Sequence, residues 1–498
     1  MAHTEATKLY VVLPASGLRS TGAFATPRAE AFLSSAQPGA DEVALSDGGA
    51  GRCRVVDSIG PDGAKLIEAT PNEALALRGA QPSVRVVPVV RYSPAVTPRR
   101  EVRAPVPSLA SQVAPEPITV RVMSEAGDTP VAGAFVLAFT DLASGAGARA
   151  VTDGDGYAQL ALDGPSVAVE RLYVYPVTAY WTMRQVAITL TDGAEIRLHP
   201  IDLGHTDSLR HFYRNVADDA GQGVTVGIVD TGVTEHPDLV IDGGANTVVG
   251  EDDDDYGDNG DGHGTHVAGI VAARGAPPTG IRGVAPGVRL RSYRVYGQGQ
   301  REATNFAVAK GIAQAVTDGC DLVNLSFGGG VPDPVISAAV EDARAGGSLC
   351  IAAAGDDGRG PVRFPAADEL AVAVSALGRT GTFPDDAVAV EDIAAPPGND
   401  EADFIGAYSN IGPQVDLTGP GVAVISTYPG GYTEITGTAM AAPAVTGVAA
   451  RLLAGSPETL AAPRDAARSE AILALLLASA RDMGFPDPLQ GHGLPQPC

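Results

Sequence analysis

Five apolar runs after residue 220 predict parallel β-strands that are covered on both faces. The runs are continuous rather than alternating, which is typical of strands buried between two layers of helices. They are Val224–Val229, Val288–Arg294, Leu322–Ser326, Leu349–Ala353 and Leu370–Val374. Helical stretches with small residues, including His263–Ala273 and Thr304–Val316, lie between them. This order predicts a doubly wound α/β domain over residues 217–494, whose site lies at the carboxyl ends of the strands.

The first hundred residues show shorter, mixed periodicities. Strand-like and helix-like segments alternate in the order β-α-β-β-α-β, which predicts a small ferredoxin-like domain over residues 8–96. The segments are Leu9–Leu13, Pro27–Ser35, Arg54–Ser58, Ala64–Glu68, Asn72–Gly79 and Val84–Tyr92.

A proline-rich stretch over residues 97–117 separates this region from a second one. The stretch also carries Arg99, Arg100 and Arg103, and its composition predicts a stiff, exposed linker that is a natural place for cleavage. Residues 118–200 then alternate apolar and polar positions over short runs between turn signals, which predicts a small antiparallel β-sandwich. A substrate-binding module and a spacer are both open readings of this domain, and the spacer is slightly favoured.

The composition and net charge of the chain limit the classes of binding partner that are expected. The chain has 59 acidic and 34 basic residues among 498 and a net charge of −25, which disfavours nucleic acid and anionic membranes. The longest apolar run, Ala471–Ala480, has about half the length of a membrane span. The first residues lack the pattern of a signal peptide, so a chain kept in the cytoplasm or released by a non-standard route is expected. The widely spaced cysteines form no metal-ligand pattern, and Cys320 and Cys350 are expected to be buried thiols.

Three short motifs carry the candidate chemistry. An apolar strand delivers Asp230 into Thr231-Gly232, a helix opens at Gly262-His263-Gly-Thr-His266, and the third motif reads Gly437-Thr-Ala439-Met-Ala-Ala-Pro443. In this order the motifs resemble the Asp, His and Ser motifs of the subtilisin-like serine proteases, whose third motif normally holds serine where this chain has Ala439. The resemblance covers essentially the whole last domain.

The resemblance implies a serine endopeptidase that acts on polypeptides. Its mechanism needs an imidazole to take the proton of the nucleophile and a buried carboxylate to orient that imidazole. Asp230 and His263 match these two roles, and His266 matches a structural histidine. A methyl group at position 439 cannot attack a carbonyl, so the chain as written is expected to be inactive.

The residue that stabilises the oxyanion also departs from the family pattern. The family has Ala-Ala-Gly-Asn where this chain has Ala353-Ala-Gly-Asp356. A neutral carboxyl can donate a hydrogen bond to the oxyanion, whereas an ionised one repels it. Asp356 therefore predicts activity at low pH or a weakened enzyme, with the backbone N–H of residue 439 as the other donor.

The family binds its substrate as an extended strand between two backbone edges. By resemblance, one edge holds Ser326, Phe327 and Gly328, and the other is Tyr296-Gly297-Gln-Gly299. Arg363 matches the bottom of the pocket for the residue before the cut. It is expected either to favour an acidic residue there or to point into solvent.

Calcium is the one candidate cofactor. His236-Pro-Asp238-Leu resembles a family segment whose acid joins a calcium site, and the loop Arg274–Ile281 would supply backbone oxygens. The acidic run Glu251–Asp255, together with Asp258 and Asp261, forms an acidic cluster that indicates either another calcium-binding segment or a solvated loop, of which the loop is the commoner case.

Two hypotheses of different classes follow. In the first, the chain is a protease precursor whose serine has been replaced by alanine, and its first domain is a propeptide that acts as an intramolecular inhibitor. In the second, it is a natural pseudoprotease that binds a peptide or a partner without cutting. The family resemblance also implies secretion, against the expectation from the N-terminus.

Overall fold

The computed structural model describes residues 6–19, 27–38, 43–44, 52–81, 83–98, 100–103, 117–162 and 164–497. It is a mixed α/β structure with parallel and antiparallel sheets. Within the described residues no helix is both long and apolar enough to cross a membrane. Cys53, Cys320 and Cys350 are buried free thiols, as expected for Cys320 and Cys350, and Cys498 lies outside the described residues.

The N-terminal unit (residues 8–88) is a five-stranded antiparallel sheet with two helices. Successive residues of a strand point to opposite faces, and here both faces are buried. Val12 of the first strand faces the unit's own helices, whereas Val11 and Leu13 face two helices of the C-terminal unit. In sheet order the strands are Val43–Ala44, Arg52–Ser58, Lys65–Ala69, Lys8–Pro14 and Val84–Pro88, and the helices are Pro27–Ser35 and Pro71–Ala80.

The expected strand Val84–Tyr92 is two strands in the structure. Val84–Pro88 closes the N-terminal sheet, and Arg91–Pro94 leaves it to pair with the C-terminal unit. Residues 91–97 are called the tail below. Periodicity alone does not reveal this division, because both pieces are extended and partly buried.

The two-sheet unit (Ile118–Leu198) has sheets of three and four strands around one core. The expectation of a wholly antiparallel arrangement is wrong in one place, since Ala194–Leu198 pairs in parallel with Ile118–Ser124. Trp181 is buried in the main core of the C-terminal unit, which docks the two units together. The smaller sheet holds Tyr157–Leu160, Ile118–Ser124 and Ala194–Leu198, and the larger holds Met183–Thr191, Ser166–Tyr175, Phe135–Asp141 and Ala146–Val151.

The C-terminal unit (residues 201–497) is built on an eight-stranded sheet that is parallel apart from the strand Asp403–Ile405. Its strands are Ile241–Asn246, Arg289–Arg294, Thr225–Asp230, Leu322–Leu325, Leu349–Ala353, Val372–Arg379, Asp403–Ile405 and Leu417–Pro420. The strand order reverses at Thr225–Asp230, where sites form in such sheets. Asp230 is the last residue of that strand.

The remaining elements cover the two faces of the sheet and its edges. The helices are Ser208–Phe212, His263–Ala272, Asn305–Thr317, Pro334–Ala345, Thr438–Ala454, Pro457–Leu460, Ala466–Ala478 and Asp487–Gln490, with a short 3-10 helix at Val388–Asp392. The short strands are Ala303–Thr304, Phe327–Gly328, Val424–Tyr428, Gly431–Ile435, Ala480–Arg481 and Leu494–Pro495. The helices beginning at His263 and Thr438 pack against each other and bring their first turns toward Asp230.

Candidate active site

Asp230 and His263 form a buried pair. The Asp230 carboxylate lies 2.7 Å from His263 Nδ1, and the two side chains are 1% and 2% exposed. Burial by itself would lower the pKa of His263, but the Asp230 charge and hydrogen bond hold it above its ordinary value. Nδ1 therefore carries the proton, and Nε2 is left as the basic nitrogen. Nε2 is buried and has no hydrogen-bond partner among the described residues.

A network of short polar contacts fixes the start of the His263 helix. The helix begins after Gly262, which has a positive φ of 84° that favours glycine. The Asp258 carboxylate accepts hydrogen bonds from Gly260 N, Gly262 N and the Thr231 hydroxyl, and Thr231 Oγ1 accepts from Gly264 N. The turn after Asp230 is thereby tied to the first turn of the helix. Asp258 belongs to the acidic cluster first considered for calcium, and its structural role was missed from sequence.

Ala439 lies in the first turn of the helix Thr438–Ala454 and is fully buried. Pro443 has no N–H to bond the carbonyl of Ala439, which lies four residues earlier. That carbonyl instead accepts a hydrogen bond of 2.7 Å from the Ser326 hydroxyl, which in turn accepts one from Asn324 Nδ2. Position 439 is therefore held by the residue that follows a neighbouring parallel strand as well as by its own helix.

His266 lies in the core on the same helix as His263. Its Nε2 is 3.1 Å from the carbonyl of Val424 and 3.2 Å from that of Thr433, and both carbonyls require the nitrogen to donate. Burial lowers the pKa of His266 to about 3, so the ring is neutral at ordinary pH. These contacts give His266 a structural role.

The tail lies in the cleft as an added strand between two backbone edges. On one side Pro94 and Ser93 pair with Phe327 and Gly328, and Ser326 O accepts a hydrogen bond from Ala95 N. The structure thus brings Ser326, Phe327 and Gly328 to the tail.

The opposite edge is not the one expected from sequence. Tyr92 and Arg91 pair with Ala303 and Thr304, while Gly297 and Gly299 make no strand pairing with the tail. Gly297 O accepts a bond from Asn259 Nδ2, and Gly299 N donates to Asn259 O. A further bond, from Gln300 N to Gly297 O at 2.9 Å, closes residues 297–300 into a turn, and the edge that pairs follows this turn in the chain.

The Ala95–Val96 peptide bond lies next to Ala439. The carbonyl of Ala95 accepts a hydrogen bond of 2.9 Å from Ala439 N, and a side chain at Gly437 would come within 2.5 Å of that carbonyl oxygen. On the far side of this bond, Thr97 N donates to Thr436 O. The Ala95 carbonyl therefore meets a backbone donor of the kind that stabilises an oxyanion.

Tyr92, three residues before Ala95, fills a closed pocket and is 1% exposed. Its ring meets Phe327 edge to face at 5.8 Å, and its hydroxyl donates to Asp333 Oδ2 at 3.1 Å. A Cβ atom at Gly329 would lie 2.8 Å from the ring, so the glycine leaves the room that an aromatic residue needs.

Asp356 lies beside the start of the helix Thr438–Ala454. Its Oδ1 accepts a hydrogen bond of 2.9 Å from Thr438 N, and its Oδ2 is buried without a partner among the described residues. Burial raises the pKa of Asp356 well above its usual range, and the nearby charges of Asp357 and Asp392 add to this. Burial therefore favours the protonated form of the carboxyl, which can donate a hydrogen bond.

Arg363 forms an ion pair with Asp357, which neither of its two expected arrangements included, and its side chain stays partly exposed. Its guanidinium bonds both carboxylate oxygens of Asp357, one of them Oδ2 at 2.5 Å. The two side chains are each about one-third exposed, at 38% and 35%. Because Asp357 compensates the charge, selection of an acidic residue before the cut has no basis in this arrangement. The residue in that position of the tail is Ala95.

The groups that contact Asp238 do not fit a calcium ion. Asp238 Oδ2 accepts hydrogen bonds from Ile281 N at 2.8 Å and from the Tyr432 hydroxyl at 2.9 Å, and Asp238 O accepts one from Arg274 N. The loop thus presents N–H donors to this residue, whereas calcium requires oxygen ligands. Within the part of the chain that the structure describes, no three His, Cys, Asp or Glu residues are grouped to hold a metal.

The acidic run has a structural partner as well. Arg294 is only 1% exposed, and its guanidinium bonds Glu251 at 2.6 Å and Asp255 at 3.2 Å. Two members of the run therefore compensate a buried cation, so the run is more than a solvated loop.

Comparison with known proteins places this constellation in a family. The model of the Subtilase family matches residues 221–493. Over 243 residues the chain is 37% identical to subtilisin DY of Bacillus licheniformis, a match that covers 48% of this chain and 79% of that protein. Over 238 residues it is 37% identical to subtilisin Savinase of Lederbergia lenta, covering 48% and 78%, and to M-protease of Shouchella clausii, covering 48% and 56%. The chain belongs to the subtilase family.

Proposed function

We propose that the chain is the uncut precursor of a serine endopeptidase in which alanine replaces the nucleophile. The observation that carries this proposal is the position of the tail, whose Ala95 carbonyl accepts the N–H of residue 439 while the Asp230–His263 pair stands complete beside it. A protein unrelated to proteases would not be expected to have both the Asp230–His263 pair and a peptide bond held beside residue 439.

With a serine hydroxyl at position 439, the reaction follows from the geometry. The oxygen attacks the Ala95 carbonyl carbon, and His263 Nε2 takes the hydroxyl proton while Asp230 holds the ring by its Nδ1–H. The N–H of residue 439 and the neutral carboxyl of Asp356 would stabilise the oxyanion. His263 then gives its proton to the Val96 nitrogen as the Ala95–Val96 bond breaks. Water releases the acyl group by the same steps in reverse.

The N-terminal unit is, in this proposal, an inhibitory propeptide. Its support is the packing of its sheet on the helices Asn305–Thr317 and Pro334–Ala345, together with the entry of its tail into the cleft. The tail also indicates a substrate preference for an aromatic residue with a hydroxyl three positions before a small one, as in Tyr92-Ser-Pro-Ala95.

The variant Ala439→Ser tests the proposal by intact mass. We expect it to split into two pieces, the second beginning at Val96, and to react with a serine-directed phosphonate. Ala439→Ser combined with His263→Ala, which keeps the hydroxyl, is the matched control and should do neither. A folded Ala439→Ser chain that stays whole and unlabelled would refute the proposal.

The second candidate is a pseudoprotease that binds peptides without cutting them. Ala439 and Asp356, which both depart from the family pattern, favour it. Under this function the Ala439→Ser chain would remain uncut, and peptides with the sequence of the tail would still bind once the tail is displaced.

A further inference from the structure

The segment that follows the proposed cleavage site contacts another surface of the protein after it leaves the cleft. Residues 100–103, here called the strap, lie on a surface formed jointly by the two-sheet unit and the 3-10 helix Val388–Asp392. Arg100 and Val102 are the fifth and seventh residues after the Ala95–Val96 bond. Each occupies a distinct place on that surface.

Arg100 meets a carboxylate that other residues hold in place. Its Nε and an Nη atom lie 3.3 and 3.0 Å from Glu391 Oε2. The other oxygen of Glu391 accepts the Tyr173 hydroxyl at 2.7 Å and lies 3.5 Å from Arg184, and the Arg100 guanidinium is 5.8 Å from the centre of the Tyr173 ring. Glu391 is 19% exposed, so its charge is partly shielded from water.

These partners keep Glu391 ionised. Burial by itself would raise the pKa of Glu391, but the hydrogen bonds from Tyr173 and Arg100 and the charges of Arg100 and Arg184 hold it below its ordinary value. The carboxylate is thus a fixed negative group of known orientation. A guanidinium suits such a group, because it can offer two donors and stack on an aromatic ring at the same time.

Val102 packs two residues further on against a small apolar cluster. The buried members are Leu137, Phe139, Tyr173 and Tyr175 of the two-sheet unit, and Val102 is partly buried on them. Beyond it, Arg103 N donates to Gly145 O at 2.9 Å. Tyr173 takes part in both places, so one side chain joins the carboxylate to the apolar cluster.

We propose that this surface is an exosite that binds the substrate polypeptide on the leaving side of the cut. It recognises arginine at the fifth position and an aliphatic residue at the seventh position after the cleaved bond. In the uncut chain the strap occupies the exosite as its built-in ligand. The proposal rests on the proposed function, and it gives the two-sheet unit a part in specificity.

The strap also competes for the exosite after processing, because it stays attached to the two-sheet unit. A tethered ligand acts at a high effective concentration. The exosite is therefore best tested in a chain whose strap is weakened by Arg100→Gln and Val102→Ser. Glu101→Gln, which changes an exposed residue of the same strap, is the matched control.

The test compares two peptides in the Ala439→Ser background. The first is Tyr-Ser-Pro-Ala-Val-Thr-Pro-Arg-Arg-Glu-Val-Arg, and the second has Gln and Ser in place of the fifth and seventh residues after the cut. We expect the strap-weakened chain to cleave the first with a kcat/KM about tenfold higher, since one partly exposed ion pair and one apolar contact each contribute a few-fold. Chains with an intact strap, including the Glu101→Gln control, should show a smaller ratio.

A change in Glu391 should remove the discrimination that depends on arginine. Glu391→Gln in the strap-weakened chain is expected to bring the ratio down to the few-fold left by the aliphatic residue. Tyr173→Phe, which removes only the hydroxyl, should lower it partly. Equal kcat/KM for both peptides in every chain would overturn the proposal and leave the surface as a clamp between units.

A binding measurement separates this proposal from the proposed function. If the Ala439→Ser chain cuts no peptide, the proposed function fails. Fluorescence anisotropy of labelled Val-Thr-Pro-Arg-Arg-Glu-Val-Arg on the strap-weakened Ala439 chain then decides the exosite by itself. Tighter binding than that of the Gln and Ser peptide supports it, and equal binding refutes it.

Discussion

The substitution Asp356→Asn directly tests the oxyanion role proposed for Asp356. In the Ala439→Ser background it replaces a donor that depends on pH with a permanent amide donor of nearly the same shape. Asp356 is buried, its Oδ1 is engaged by Thr438 N, and its pKa is raised well above the usual range by burial. The parent enzyme should therefore lose its second donor only as the pH rises through that raised pKa.

The size of the effect follows from the loss of one donor. An oxyanion donor contributes about 3–4 kcal/mol, so ionisation of Asp356 should reduce kcat about 10²–10³-fold. Below its pKa the parent and Asp356→Asn should differ little, because both then donate. At low pH, kcat of both enzymes should fall because His263 must be neutral to accept a proton. Burial by itself would lower the pKa of His263, but Asp230 raises it above its ordinary value. The parent should thus show a bell-shaped profile, and Asp356→Asn should lose only its alkaline limb.

A stability measurement on the Ala439 chain provides an independent assay. Asp356 has a higher pKa folded than unfolded, so the folded state binds the extra proton. Its contribution to the free energy of unfolding is complete below about pH 4 and declines by up to about 1.4 kcal/mol per pH unit until its folded pKa is reached. Denaturant unfolding of the Ala439 chain with and without Asp356→Asn, across the same pH range, isolates this slope.

Two outcomes would refute this reasoning. A folded Asp356→Asn enzyme with lower turnover than its parent at every pH would show that the side chain does not donate to the oxyanion. A stability difference that is independent of pH would show that the carboxyl is not the buried, neutral group described here.

Three further predictions concern the rest of the molecule. The separately expressed fragment 1–95 should inhibit the Ala439→Ser protease, and Tyr92→Ala in that fragment should weaken inhibition by at least about tenfold because it empties the pocket at Asp333. Equal inhibition constants for the two fragments, measured from progress curves, would contradict the role given to the tail. Asp238→Ala should lower the free energy of unfolding by about 1–3 kcal/mol, since Ile281 N loses a buried acceptor, and thermal scans should show the same loss with calcium or with a chelator. A loss seen only with calcium would instead indicate that Asp238 binds calcium. Glu251→Gln should lower the free energy of unfolding, measured with denaturant, by about 1–2 kcal/mol because buried Arg294 loses a charged partner. Asp254→Asn changes an exposed acid of the same run and should have no measurable effect, so equal effects of the two substitutions would mean that the run acts only through its net charge.

The sequence by itself determined the parts of the site that depend on local structure. Asp230 ends a strand that has to be apolar, and His263 and Ala439 begin helices that follow glycines, so the order of three motifs was enough to locate them. Continuous apolar runs likewise indicated the parallel strands, because a strand covered on both faces has no polar side. Of the predicted runs, Leu349–Ala353 has the same bounds in the structure.

Only the tertiary structure decided which distant groups meet. Ala303–Thr304, rather than Gly297 and Gly299, pairs with the tail, because a backbone edge is selected by its position in space and leaves no mark in side-chain periodicity. The pairing of Arg363 with Asp357 and of Arg294 with the acidic run has the same cause, since a charge finds its partner through the fold. The strap on Glu391 joins residues almost three hundred positions apart, and no local pattern in the sequence could have brought them together.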